Sequence, residues 1–167
     1  PAIANYNENT SAIIRNCEFE SNQAVTSGGA VTNGFKARVS YDNCYFLGNT
    51  AQFGGAMYIQ NDTTSVTVTN SEFSGNVASS SGGAFYNSSG TQPSFTNCEF
   101  IANQAEFGAG MSIFDSEFDL TQYELRNCVF NFNIAAQQGG AINVGNADGY
   151  LENCLLINNF ADGTGTG

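Results

Sequence analysis

Histidine and tryptophan are absent from this chain, and only four residues, Arg15, Lys36, Arg38 and Arg126, carry positive charge. Without histidine, the side chain that most often serves as a neutral-pH base and metal ligand is missing. A formal charge of −11 with so few cations excludes nucleic acid and anionic membrane surfaces as partners, since both demand basic patches. No apolar run approaches the roughly 20 residues of a membrane-spanning helix, so no membrane span is expected. No signal peptide is visible, and a start at Pro1 rather than Met reads as a processed product or an excerpt. Lys and Glu are scarce and the 19 glycines too regular for a helical solenoid. Acidity here does not imply disorder, because aromatic and aliphatic residues are plentiful and recur with a period.

What is present is repetition. The stretch Asn43 to Met57, NCYFLGNTAQFGGAM, returns with small edits through all 167 residues, enough for one domain with a core. Its copies are anchored at Cys17, Cys44, Ser71, Cys98, Cys128 and Cys154, at intervals of 27, 27, 27, 30 and 26 residues. Two residues after each anchor stands Phe19, Phe46, Phe73, Phe100, Phe130 or Leu156. Five after it stands Asn22, Asn49, Asn76, Asn103, Asn133 or Asn159, and seven after it an alanine. Agreement of this kind marks a repeat architecture.

Within one copy, Ser65-Val-Thr-Val-Thr69 alternates polar and apolar, which places Val66 and Val68 on one strand face. The inward phase slips at Asn70 and again around Asn76, so a bend belongs at each, and Asn tolerates the left-handed backbone a bend needs. Gly82-Gly83 permit a third corner. Asn87 to Gly90, with Pro93, turn the chain into the next coil. One repeat is thus expected to hold three short strands and three corners. Each strand meets its own copy one coil later in the same direction. The expected fold is all-β: a right-handed parallel β-helix (β-solenoid) of about six coils of ~27 residues. It forms a single domain over residues 1–167 without capping elements, stacked at ~4.8 Å per coil into a rod of roughly 29 Å.

The repeated columns are read first as structure. Asn16, Asn43, Asn70, Asn97, Asn127 and Asn153 form one asparagine ladder, and the Asn22 to Asn159 series a second. Stacked carboxamides bond along the axis as in cross-β assemblies, and a polar stripe for sugars is the sharper alternative. The phenylalanine column is read as core, faced by Val31, Met57, Phe85, Met111 and Ile142, with an aromatic ligand stripe as the alternative. The five cysteines lack C-x-x-C spacing, which argues against zinc. In-register neighbours would stand ~4.8 Å apart at Cα, near the short limit for a disulfide. Unpaired thiols acting as small apolar filler are expected.

Chemistry is harder to place. Sites of acid–base catalysis need paired carboxylates or a poised base, and the acids here are scattered. Their one cluster, Asp115, Glu117 and Asp119, lies in the connection from Met111 to Cys128, 17 residues against 14 for Met57 to Ser71. It is a weak candidate for a hard cation held by oxygen ligands, and a solvated loop is the plainer reading. Phe114 and Phe118 beside it offer a contact surface. No cofactor motif is present, so neither a cofactor nor an enzyme is expected. Sequons at Asn9, Asn61 and Asn87 make glycosylation outside the core an expectation.

Paired F-x-x-N and G-G-A-I segments, such as Phe46-Leu-Gly-Asn49 with Gly54-Gly-Ala-Met57, resemble repeats of the chlamydial polymorphic outer-membrane proteins and related surface β-helices. The order departs at Gly108-Ala-Gly110, and Leu156 replaces phenylalanine. The resemblance implies a surface-exposed adhesive or structural rod. The chain begins and ends at one corner of the coil, which suggests head-to-tail stacking into a filament or a section of a longer fibre. An extracellular structural or adhesive rod is therefore expected, with itself, surface glycans or host and cell-surface proteins as partners. The alternative is a carbohydrate-binding or carbohydrate-active β-helix of the lyase or hydrolase kind.

Overall fold

The computed structural model describes residues 1–8, 10–61, 63–115 and 121–163. Among them every ladder is parallel, and each strand pairs with its counterpart one coil away. Four sheets run along the axis. Sheet A holds Ile3–Asn5, Val31–Gly34, Met57–Gln60, Phe85–Ser88, Met111–Phe114 and Ile142–Gly145. Sheet B holds Ser11–Arg15, Arg38–Asp42, Ser65–Thr69, Gln92–Thr96, Gln122–Arg126 and Asp148–Glu152. Sheet C begins at Glu18–Glu20 and ends at Leu155–Ile157; sheet D begins at Thr50–Phe53 and ends at Phe160–Ala161.

A full coil therefore has four strands and four corners, and the expected three must be corrected. The segment read as a turn into the next coil is itself a corner between two strands of one coil, from sheet A to sheet B. Pro93 does not turn the chain: it lies inside Gln92–Thr96, opposite Val66, with its ring buried.

Each remaining corner has a local cause. Between B and C, Asn16, Asn43, Asn70, Asn97, Asn127 and Asn153 all take the left-handed backbone, with φ from 50° to 55°. Between C and D the left-handed residue is the one before the second asparagine column: Ser21, Gly48, Gly75, Ala102, Phe132 and Asn158. Between D and A, the first glycine of each pair is left-handed and the second lets two coils touch. A Cβ on Gly55 would stand 2.1 Å from the Gly83 carbonyl oxygen. At Gly108-Ala-Gly110 the order changes: a Cβ on Gly110 would stand 2.5 Å from the Ala141 carbonyl oxygen and 2.9 Å from the Phe130 ring, and Ala109 takes the place of the second glycine.

The interior is stacked in register. The rings of Phe19, Phe46, Phe73, Phe100 and Phe130 lie within 5° of parallel, with centroids 4.5–4.8 Å apart. Phe95 packs edge-on against Phe73, Phe85 and Phe100. The buried side chains of Asn49, Asn76, Asn103 and Asn133 run beside this stack. The Asn76 Nδ2 donates to the Phe46 carbonyl and to Asn103 Oδ1, while its own Oδ1 accepts from the Asn49 backbone and side chain. Each asparagine so ties three coils together.

The cysteine column explains its own exception. Cys44, Cys98, Cys128 and Cys154 each turn Sγ to the carbonyl two residues earlier, and Ser71 Oγ makes the same bond to Thr69 at 2.7 Å. All five thiols are free. Burial pushes the Cys44 thiol above its ordinary value.

Candidate functional site

Once interior and corners are assigned, the side chains left over are those pointing outward. Sheet B carries the most chemistry on that side. Its outward central column reads Ile13, Ser40, Thr67, Ser94, Glu124 and Tyr150 along the axis. One flanking column is Ser11, Arg38, Ser65, Gln92, Gln122 and Asp148; the other is Arg15, Asp42, Thr69, Thr96, Arg126 and Glu152. Short hydroxyl side chains in the middle coils and larger ones at both ends hollow this face. A depression of about 580 Å³ extends from Ser65 to Tyr150, and one of about 190 Å³ from Ser11 to Thr67. Both are lined by Ser65 and Thr67, so they form one trough along the sheet.

The last two coils fix the groups at one end of the trough. Arg126 donates from Nε to Glu124 Oε1 at 2.8 Å and also bonds Glu152. The bond to Glu124 raises the guanidinium's pKa further. Its Cζ lies 5.0 Å from the centre of the Tyr150 ring, whose hydroxyl donates to Glu152 at 3.1 Å. Ser94 Oγ donates to the second oxygen of Glu124 at 3.4 Å. Tyr123 leans over the backbone of Gly149, where a Cβ would meet its ring at 2.3 Å. Burial, then Asp148, raises the pKa of Tyr123. The arrangement presents fixed carboxylates, amides, hydroxyls and one tyrosine face, all suited to hydrogen-bonding a polar ligand.

The residues singled out from sequence fare differently. Asp115 is fully buried and accepts the Thr121 backbone N–H at 2.8 Å, so it closes the root of the long connection. Glu117, Phe118 and Asp119 lie outside the described residues, while Phe114 is exposed. Among the described residues no three His, Cys, Asp or Glu side chains gather as a metal site. Asn61 sits at a left-handed turn, half-buried, and Asn9 lies outside the described residues. Asn87 is a correction: it points inward, fully buried, and accepts the Thr91 hydroxyl, so a glycan there is incompatible with this fold. It belongs to an inward column of Asn5, Asn33, Ile59, Asn87, Ile113 and Val144. The first asparagine ladder is exposed and interrupted, since Asn70 donates to Asp42 rather than Asn43. The second runs unbroken from Asn22 to Asn159.

Family comparison agrees with the coil geometry: the description of a right-handed beta helix region matches residues 3–161. The chain belongs to the right-handed beta helix family. Nothing matches among curated proteins, nor among solved structures. The right-handed beta helix supplies the scaffold, and the sheet B trough lies on its outer surface.

Proposed function

We propose that this right-handed beta helix is an extracellular structural or adhesive element, a stiff section whose outward faces make contacts while its interior maintains length. The observation that carries this reading is the division of labour between columns. The residues that repeat are spent on stacking and corners, while the outer face of sheet B changes along the axis, its central column running from Ile13 through Ser40, Thr67, Ser94 and Glu124 to Tyr150. The F-x-x-N and G-G-A-I pattern, which resembles that of chlamydial polymorphic outer-membrane repeats, supports a surface setting. End-to-end association of copies is part of the reading.

An antibody raised against the chain tests it on the cells that make it. Labelling of intact, unpermeabilised cells is expected; signal only after permeabilisation would contradict the reading. Sedimentation velocity over a concentration series is expected to show growing oligomers, and a constant monomer would remove the end-to-end part.

A second reading, a carbohydrate-binding or carbohydrate-active β-helix, is favoured by one observation: the trough brings Glu124, Asp148 and Tyr150 onto a single exposed face.

A further inference from the structure

The charges are not spread evenly over this molecule. Three of its four cations, Arg15, Arg38 and Arg126, point outward from sheet B, where they meet four carboxylates, Asp42, Glu124, Asp148 and Glu152. This face therefore differs from neutrality by a single negative charge, while the whole chain stands at −11. The net charge also changes along the axis. Arg15 and Arg38 outnumber Asp42 at the Ser11 end, while Glu124, Asp148 and Glu152 outnumber Arg126 at the Tyr150 end. A polyanion meets like charge in the larger depression, and a polycation in the smaller one. An uncharged polymer lies along the whole trough without meeting either.

The lining narrows the class further. Backbone N–H and C=O groups of sheet B are used in pairing coil to coil, so a peptide strand cannot add to this face through its main chain. What faces outward are hydroxyls, carboxamides and carboxylates from Thr67, Gln92, Ser94, Gln122, Glu124 and Asp148. Such groups match the dense hydroxyls of a sugar chain. Tyr150 has a ring fixed by Arg126 and Glu152 and is 43% exposed, a platform for a pyranose face. The two depressions join at Ser65 and Thr67, so the trough suits an extended polymer rather than a single small molecule.

We infer that the trough on sheet B binds an extended, uncharged glycan, with Tyr150 stacking on one sugar and Asp148 and Glu124 accepting from its hydroxyls. This rests on the binding half of the second reading and needs no catalysis. It also names a ligand for an adhesive rod without depending on where the rod is displayed.

The test is a printed array of neutral and acidic oligosaccharides, followed by titration with the best neutral hit. The expected result is binding to neutral chains, with polygalacturonate and sulfated glycans unbound. Raising the salt should change affinity by less than about threefold, because little net charge is engaged. Tyr150→Ala should weaken binding by about tenfold, as loss of one stacked contact does. Glu106→Gln on sheet D should leave binding unchanged, with melting curves showing both variants folded. No neutral hit, preferential capture of acidic chains, or full binding by Tyr150→Ala would overturn the inference. Cell-surface labelling would still decide the rod separately.

Discussion

At the scale of single residues, two asparagine columns that look alike in sequence have different weights. Asn76 is buried and bonds to coils on both sides. Replacing it with alanine strands the Asn49 donors and the Phe46 carbonyl, at about 1–3 kcal/mol for each unsatisfied group. Asn76→Ala should therefore cost roughly 3 kcal/mol or more in urea unfolding. Asn70 is exposed and takes φ 50°, so its main task is conformational. Asn70→Gly should stay within about 0.5 kcal/mol of the parent. Equal losses at the two positions would refute the distinction. Asp42 offers a pH test. Hydrogen bonds from Thr69 and Asn70, with Arg15 nearby, lower its pKa from 3.8. A depressed folded value means the carboxylate stabilises the fold above its unfolded value near 3.8 and loses that contribution as pH falls through the lower folded value. Asp42→Asn should lose less thermal stability than the parent as the pH is lowered through that window, and identical acid limbs would contradict the assignment.

At the scale of strands and corners, the backbone alone makes a prediction. Gly48 and Gly75 sit where Ala102 takes φ 52°, and Ala102 is exposed. Left-handed backbone costs a residue with a Cβ roughly 1–2 kcal/mol, against about 0.4–1 kcal/mol for the extra freedom of an unfolded glycine. Ala102→Gly should then stabilise the chain by about 0.5 kcal/mol, read as a small rise in the urea midpoint; a fall would show that the corner is not strained. The corners were also where sequence was most and least legible. Those at Asn70 and Gly82-Gly83 stand out because one residue type recurs there in coil after coil. The corner between sheets A and B has its own inward column, Thr10, Ala37, Thr64, Thr91, Thr121 and Ala147, one for each anchor. Two alanines interrupt the threonines, and loops of different length precede them, so in sequence this corner reads as a turn between coils. The strand without a sequence signal is that of sheet D: Val77–Ser81 is mostly polar, and Ala78 is its one fully inward residue. Asn87 is illegible for a different reason: an N-x-S triplet carries no sign of which way a strand side chain points.

At the scale of the whole molecule, periodicity disclosed the scaffold and concealed the site. Core and corner residues touch their own copies one coil away, so each must satisfy the same neighbours and the sequence repeats. Outward residues such as Thr67, Glu124 and Tyr150 meet no such constraint. They vary, and nothing in a single chain marks them. The trough became visible only when register aligned strands whose residues are 27, 30 and 26 positions apart in sequence. The central claim is that stacking and contact are separate functions of separate columns. The most direct measurement is neutral-glycan binding by Thr67→Trp, which would place an indole at the meeting point of the two depressions. The variant should melt with the parent and lose binding at least tenfold. Undiminished binding by a folded Thr67→Trp, or loss of the fold itself, would contradict that separation.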